Sequence, residues 1–221
     1  MRTVVSILAI TCAIIVTGVL SGQIVSSDRT AGHAQSPTDA RPRALRALDA
    51  IDHRIAEVDA LLTPGEGGSA SGEELRARSR AIRTRVRESD PGDASQRGAW
   101  AGLRASIADL EFRTDIHVLM ARSRTMGFGE AAQPMIGETK ATIDALGAKL
   151  DAQGRLDHGV RLERMRTELE RLRLEAADDV PASAASDETR SAWAKRLANL
   201  RRELRSISRR HANRNAARPS R

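Results

Sequence analysis

The sequence predicts an all-α protein, a helical bundle of about six amphipathic helices that follows an N-terminal hydrophobic segment. Aromatic residues make up only 2% of the 221 residues, and tyrosine is absent. Alanine, leucine, arginine and glutamate dominate instead, which favours helix over sheet. Apolar residues recur at alternating spacings of three and four, the period of helices that pack in bundles or coiled coils.

An apolar segment opens the chain. Residues 3–22 contain no charged side chain, and about 20 such residues are enough to span a bilayer. Two interpretations remain open: a retained membrane anchor, which the length favours, or a secretory signal cleaved after Gly22 or Ala34. Arg2 precedes the segment, so we expect the remainder of the chain outside the cytoplasm, although basic residues on the far flank weaken this orientation. Cys12 is the only cysteine, so no internal disulfide can form.

The rest of the chain divides into further parts by composition and periodicity. Residues 1–27 form the anchor or signal, and residues 28–40 form a flexible tether rich in Ser, Thr, Gly and Pro. Residues 41–126 and 127–211 are predicted to form two three-helix units. Residues 212–221 are expected to be a basic, disordered tail.

Glycine and proline separate the helices of the first unit, because proline cannot continue a helix. The first helix is predicted for about residues 42–62 and the second for about residues 72–89, with a flexible GEGGSASG loop between them. A third helix follows Asp93 or Ser95, either of which can satisfy free N–H groups at its start. We expect this helix to continue to about Met120.

The second unit is predicted on the same signals. Gly127, Gly129 and Pro134 are expected to interrupt the chain before a fourth helix. A fifth helix ends at a loop of sequence DDVPASAAS, and Ser186 or Asp187 caps the sixth helix.

The two units share local sequence, which suggests an internal duplication. Residues 51–60 resemble residues 143–152 at five of ten positions, and the segment RGAWA around Trp100 resembles RSAWA around Trp193. Two unrelated amphipathic stretches of similar composition remain the alternative. We expect both tryptophans to be buried as anchors of the two cores, with an exposed ligand cage as the other interpretation.

No catalytic, cofactor-binding or metal-binding motif is recognised. The five histidines do not have the spacing of a zinc protease. His117 and Met120 share a helical face, so a soft-metal site there is an alternative to ordinary boundary side chains. The segment GEGGSA matches a loose GxGxxA pattern but follows a helix instead of a strand, which indicates a loop.

The end of the chain carries the clearest charge feature of a protein with a formal net charge of +7. Eight arginines lie from Arg201 onward, opposed within that segment only by Glu203, and we predict that they contact an anion such as phosphate or carboxylate. A merely solubilising tail is the alternative. The candidate anion-contacting residues are Arg201, Arg202, Arg205, Arg209, Arg210, Arg214, Arg218 and Arg221.

These features favour a non-enzymatic structural or interaction protein, tethered to a membrane through residues 3–22 or exported. A protein partner or self-association is expected, with anionic lipid or wall polymer as a further partner. An even number of helices would return the C-terminus to the side where the first helix begins. The alternatives are an extracytoplasmic ligand- or metal-sensing module and, if the domain faces the cytoplasm, a nucleic-acid-binding protein.

Overall fold

A computed structural model describes residues 39–60, 69–152, 156–177 and 186–216, and for helix residues 69–70, 156–157 and 212–216 it describes the backbone alone. Most of these residues are helical and none lies in a strand, which confirms the predicted all-α fold. The helices are α1 (Ala40–Asp59), α2 (Ser69–Glu88), α3 (Arg97–Thr125), α4 (Phe128–Asp151), α5 (Leu156–Ala177) and α6 (Asp187–Ala216).

Helices α1, α2 and α3 pack as an antiparallel three-helix bundle. The start of α1 lies beside the end of α2, where Arg41 Nη2 donates to the carbonyl oxygen of Ser89 at 2.5 Å. Arg83 of α2 donates to both Asp49 and Asp52 of α1, at 2.6 and 2.7 Å. The first core consists of Ala44, Leu48, Ile51, Ile55, Leu75, Val86, Trp100, Leu103, Ile107 and Leu110.

Helices α4, α5 and α6 enclose a second core together with the C-terminal half of α3. Arg166 of α5 pairs with Asp144 of α4, and Arg161 of α5 pairs with Glu203 of α6, as expected for antiparallel neighbours. This core includes Leu119 of α3, Phe128, Ile143, Leu150, Leu162, Leu169, Leu172, Leu197, Leu204 and Ile207. Both cores are therefore built on α3, and they belong to one compact unit, Gln35–Arg221.

Two helix starts differ from the sequence prediction. Helix α2 begins at Ser69, inside the segment expected to be a loop. Helix α4 begins at Phe128, so Gly129 and Pro134 lie within the helix and the expectation that they interrupt the chain was wrong. Pro134 is exposed, while its neighbours Met135 and Ile136 are buried. Packing of the buried face outweighs the one backbone hydrogen bond that proline removes.

Gly129 allows a close approach between α4 and the end of α5. A Cβ atom at this position would lie 2.6 Å from the carbonyl oxygen of Ala176. The glycine is thus required by packing and does not mark a chain break, a distinction that local sequence does not reveal.

The cap predicted for α6 is confirmed, whereas the one predicted for α3 lies on the turn before that helix. The N-cap of α3 itself is Gln96, whose side chain makes no cap hydrogen bond. Asp93 precedes a 3₁₀ turn that leads into α3, and its Oδ1 accepts the N–H of Ser95 at 2.8 Å. Bonds from Ser95 and Gln96 lower the pKa of the Asp93 carboxyl below its ordinary value. Ser186 precedes α6, and its Oγ accepts the N–H of Thr189 at 3.2 Å.

Within the described ranges, none of the helices has the length and apolar character needed to cross a bilayer. The predicted anchor or signal in residues 1–27 lies outside the described residues. So do most of the predicted tether and the end of the tail, although α6 extends to Ala216 and residues 212–216 are helical.

Candidate functional site

A buried carboxylate in the middle of α3 joins three helices. Asp115 is 0% exposed and is surrounded by arginines from α1 and α6. Arg54 Nη2 donates to Asp115 Oδ1 at 2.6 Å, and Arg205 Nη2 donates to Oδ2 at 3.0 Å. Arg201 Nε lies 3.3 Å from Oδ2. Because Arg54 comes from α1 and the other two come from α6, this one carboxylate connects the helices on both sides of α3.

The arginines keep Asp115 ionised. Burial alone would raise its pKa, but the positive charges of Arg201, Arg205 and Arg54 outweigh this effect and hold the pKa below its ordinary value. A carboxylate without such partners would be costly to bury and would take up a proton instead.

Two further carboxylates balance the charge of the cluster. Arg201 Nη1 lies 3.0 Å from Glu138 Oε2 of α4, and Arg205 Nη1 lies 3.4 Å from Glu111 Oε2 of α3. Three arginines therefore face three carboxylates. The cluster is an ion network that links α1, α4 and α6 to α3.

A second polar cluster, centred on His117 two residues after Asp115, joins α1, α2 and α3. The His117 ring has Nδ1 3.0 Å from Ser71 Oγ and Nε2 3.8 Å from Asp59 Oδ1. Asp59 is ion-paired with Arg76 of α2. Gly72 packs closely against Asp59, since a Cβ atom at position 72 would lie 2.6 Å from Asp59 Oδ1.

Serine, histidine and aspartate lie here in the order used for acyl transfer, but the geometry does not suit that chemistry. A triad aspartate must hydrogen-bond the imidazole, and 3.8 Å is too long for such a bond. Asp59 is instead engaged by Arg76. The pKa of His117 is lowered, chiefly by burial and also by repulsion from Arg124 and Arg76. The negative charge of Asp59 acts in the opposite direction but is outweighed. The neutral ring therefore acts as part of a polar contact between helices.

The structure does not bring His117 and Met120 together as ligands of the metal site that was the alternative for this helical face. Met120 packs partly buried against the second core, while His117 turns toward Ser71 and Asp59. His53 is largely exposed and pairs with Glu57 at 3.3 Å. Within the described part of the chain, no three or more His, Cys, Asp or Glu side chains are placed to hold one metal ion.

The predicted anion-contacting arginines do not share one environment. Arg201 and Arg205 are engaged by Asp115, Glu138 and Glu111, as described above. Arg202 lies over the Phe112 ring, with Cζ 4.5 Å from the centroid, and also donates to Asn199 at 2.8 Å. Arg210 donates to Ser206 at 3.3 Å, and Arg209 is exposed. The side chains of Arg214, Arg218 and Arg221 lie outside the described residues.

The two tryptophans differ in burial. Trp100 is 4% exposed and belongs to the first core, as predicted. Trp193 is only partly buried, against the second core, with its ring centroid 5.3 Å from that of Phe128. Trp193 therefore lies at the edge of its core. The prediction that both tryptophans are largely buried is confirmed for Trp100, and Trp193 is buried only in part.

The network around Asp115 was not recognised from the sequence. A signal was present, because Thr114 and Asp115 interrupt the apolar residues that continue from Leu110 to Val118 and Leu119. A charged residue inside such a stripe indicates a buried position that needs a partner of opposite charge. The sequence does not show which distant arginines approach it.

Comparison of the chain with protein-family models, with curated proteins and with solved structures finds no match.

Proposed function

We propose that this chain is a non-catalytic structural protein that holds a stiff helical body at a membrane and presents it to a protein partner or to a second copy of itself. The observation that supports this most is the ion network around Asp115, which fixes α1, α4 and α6 to a single long helix. A protein that must hold its shape benefits from such cross-links between elements.

The dimensions suit a spacer. Helix α3 has 29 residues and α6 has 30, so each is roughly 44 Å long at 1.5 Å per residue. They pack side by side, with Arg190 of α6 beside the carbonyl oxygen of Ser123 near the end of α3, at 3.5 Å. Because one helix reinforces the other along its length, the body resists bending at the junction between the two cores.

The attachment to a membrane rests on the sequence of residues 3–22, which has the length and apolar character of a bilayer span. A secreted body that has lost a cleaved signal is the alternative. The two versions differ in where the mature chain begins and in which cell fraction it is found.

Expression of the full chain in bacterial cells tests this proposal. We expect the protein to stay in the membrane pellet after washes with high salt and alkaline carbonate. The matched variant without residues 3–22 should move to the soluble fraction. A soluble mature protein whose N-terminus follows Gly22 or Ala34 would overturn the anchor.

The same cells can report which side of the membrane carries the helical body. Val160 is 73% exposed on α5, so Val160→Cys, in a Cys12→Ser background, offers one accessible thiol. A membrane-impermeant maleimide should label it once the outer barrier of the cell is opened, with the inner membrane intact. Labelling only after lysis would place the body in the cytoplasm and favour the nucleic-acid-binding alternative.

A further inference from the structure

Both ends of the described chain lie at the same end of the helical body. Helix α1 runs parallel to α3, as the contacts of Arg54 with Asp115 and of Asp59 with His117 show. Helix α6 runs antiparallel to α3, as the contacts of Arg205 with Asp115 and of Arg190 with Ser123 show. Three helix termini lie in the same direction from Asp115 along the bundle: the start of α1, the end of α6 and the start of α3. At 1.5 Å per residue these three points lie roughly 21, 16 and 27 Å away.

Exposed arginines from four helices collect within seven residues of the helix termini at this end. None of their guanidinium groups makes an ion pair or hydrogen bond with another described residue. We call this set the arginine collar; it consists of Arg43 and Arg46 of α1, Arg85 and Arg87 of α2, Arg97 and Arg104 of α3, and Arg209 of α6. Helix α2 contributes because its last turn lies beside the start of α1, as the bond from Arg41 to Ser89 shows.

The carboxylates at this end do not cancel the collar. Asp49 and Asp52 are already paired with Arg83. Asp90 accepts the N–H of Gly92, and Asp93 caps the turn before α3. Together with Asp39 and Glu88 these are six carboxylates, which face the seven collar arginines as well as Arg41 and Arg83, so a positive surface remains.

We infer that the arginine collar docks this end of the body on an anionic phospholipid surface. This inference rests on the proposed membrane attachment and names the surface that faces the lipid. Along the chain, residues 3–22 precede α1, and the start of α1 lies at the collar. One attachment raises the local concentration of the other, so modest electrostatic affinity is enough. Of the arginines that the sequence singled out, Arg209 belongs to the collar, whereas Arg201 and Arg205 are engaged by Asp115.

The contact is electrostatic. The large apolar side chains that are exposed in the described residues, Val160 and Leu174, lie on α5 and not at the collar. An arginine near an anionic membrane is attracted only within about a Debye length, which is about 10 Å at 0.1 M salt and about 3 Å at 1 M. Salt should therefore weaken the docking while leaving an apolar anchor in place.

The test uses the full chain in a Cys12→Ser background, mixed with liposomes of neutral phosphatidylcholine or with anionic phosphatidylserine added. A fluorophore is placed at Ala99→Cys, near the collar, or at Thr125→Cys, at the other end of α3, and the lipid carries an energy-transfer acceptor. Flotation measures attachment, and energy transfer measures which end lies on the lipid. Duplex DNA is added as a competing polyanion.

The collar variant is Arg43→Gln, Arg46→Gln and Arg87→Gln. Its matched control is Arg124→Gln, Arg164→Gln and Lys195→Gln, which removes three exposed and equally unpaired charges elsewhere. We expect transfer from position 99 to rise at least about two-fold on anionic over neutral lipid, and to return to the neutral value in about 1 M salt. Transfer from position 125 should not change. The collar variant should lose the rise, and the control should keep it.

Each of the other outcomes contradicts either the anchor or the collar. Flotation on both lipids with the same transfer from position 99 would retain the anchor and overturn the collar. Flotation on anionic lipid alone, lost in the collar variant, would retain the collar and overturn the anchor. Loss of the rise on ending the chain at residue 211, with the collar variant unaffected, would assign binding to the tail and overturn the inference. Displacement from anionic lipid by DNA at equal charge concentration would identify a nucleic-acid surface and overturn it as well.

Discussion

Asp115 is ionised in the interior because three guanidinium groups replace the water that it loses. The nearest contacts, 2.6 Å to Arg54 and 3.0 Å to Arg205, are charge-assisted hydrogen bonds. Buried ion networks are not always stabilising compared with apolar residues, but removing one partner leaves the others as uncompensated charges. The network should therefore be far more sensitive to the loss of Asp115 than to the loss of an exposed carboxylate.

We predict that Asp115→Asn lowers the free energy of unfolding by about 3–5 kcal/mol. Arg54 then has no counter-charge, and Arg201 and Arg205 keep only the more exposed carboxylates of Glu138 and Glu111. Urea denaturation of residues 28–221, followed by circular dichroism, measures this. The matched control is Asp109→Asn on the same helix, where the half-exposed carboxylate pairs with Arg113. Its loss should change stability by less than about 1 kcal/mol. Equal effects of the two variants would contradict a central role for Asp115.

His117 gives the body a pH dependence. Burial holds its pKa in the folded state below the ordinary value, whereas the unfolded chain has the ordinary value of about 6.5. Stability is therefore complete above about pH 6.5 and declines as the pH falls below it, until the folded pKa is reached. The slope for one proton is at most about 1.4 kcal/mol per pH unit.

We predict that His117→Gln flattens the stability profile between about pH 7 and pH 5 relative to the natural chain. Urea midpoints measured across this range give the difference between the two proteins, in which the other histidines and the carboxylates cancel. Parallel profiles for the two proteins would show that the His117 ring is as free to take up a proton in the folded state as in the unfolded one.

At the residue scale, the sequence predicts positions on a stripe better than it predicts partners. Trp100 was placed in a core by its spacing from Leu103 and Ile107, and it is buried there. Trp193 follows the same pattern but lies at the edge of the second core. The partners of Asp115 are 61 and 90 residues away in the sequence. Such pairs depend on which helices become neighbours, and periodicity does not specify this.

At the scale of helices, α4 shows how packing changes the meaning of a glycine. Gly129 faces the end of α5, where a Cβ atom would lie 2.6 Å from the carbonyl oxygen of Ala176. Gly137, in the same helix, has no such neighbour within 4 Å. The two positions therefore form a natural pair for separating helix propensity from packing.

We predict that Gly137→Ala raises the free energy of unfolding by about 0.5–1 kcal/mol, because alanine loses less backbone entropy in a helix. Gly129→Ala should instead lower it by about 1–3 kcal/mol, because α4 and α5 must separate to admit the methyl group. Thermal or urea unfolding measures both. If both variants were stabilised, the close approach of α4 to Ala176 would be wrong.

The helices themselves were predictable because each has a continuous apolar stripe. The starts of α2 and α4 were not, because glycine, serine and proline usually mark loops, whereas here they lie inside helices. Ser69–Glu88 and Phe128–Asp151 each begin several residues earlier than the composition indicated. In α4 the deciding factor is the burial of Phe128, Ala131 and Ala132 against the second core, which lies outside the reach of local sequence.

At the scale of the whole molecule, α3 makes the two cores one structure. Leu103, Ile107 and Leu110 belong to the first core, and Leu119 to the second. Asp115 lies between these two groups of residues and connects α1 with α6. The division of the chain into residues 41–126 and 127–211 stays a prediction about ancestry, but energetically the halves share a helix and an ion network.

We predict that the two cores unfold together. Each tryptophan reports one core, so Trp193→Phe leaves Trp100 to follow the first core and Trp100→Phe leaves Trp193 to follow the second. In residues 28–221, the urea midpoints of the two fluorescence signals should coincide with each other and with circular dichroism, as a two-state transition requires. Replacing tryptophan by phenylalanine suits both sites, because Trp193 packs on an aromatic ring and Trp100 Nε1 is buried without a hydrogen-bond partner among the described residues.

Adding Asp115→Asn to each single-tryptophan variant tests whether the ion network couples the two cores. If α3 transmits stability from one core to the other through this network, the substitution should separate the two midpoints, since each core then depends on its own packing. Midpoints that fall together would mean that the continuous helix alone couples the cores. Midpoints that already differ with Asp115 present would show two independent units, and the stiff spacer proposed for the membrane surface would then have a flexible joint at its centre.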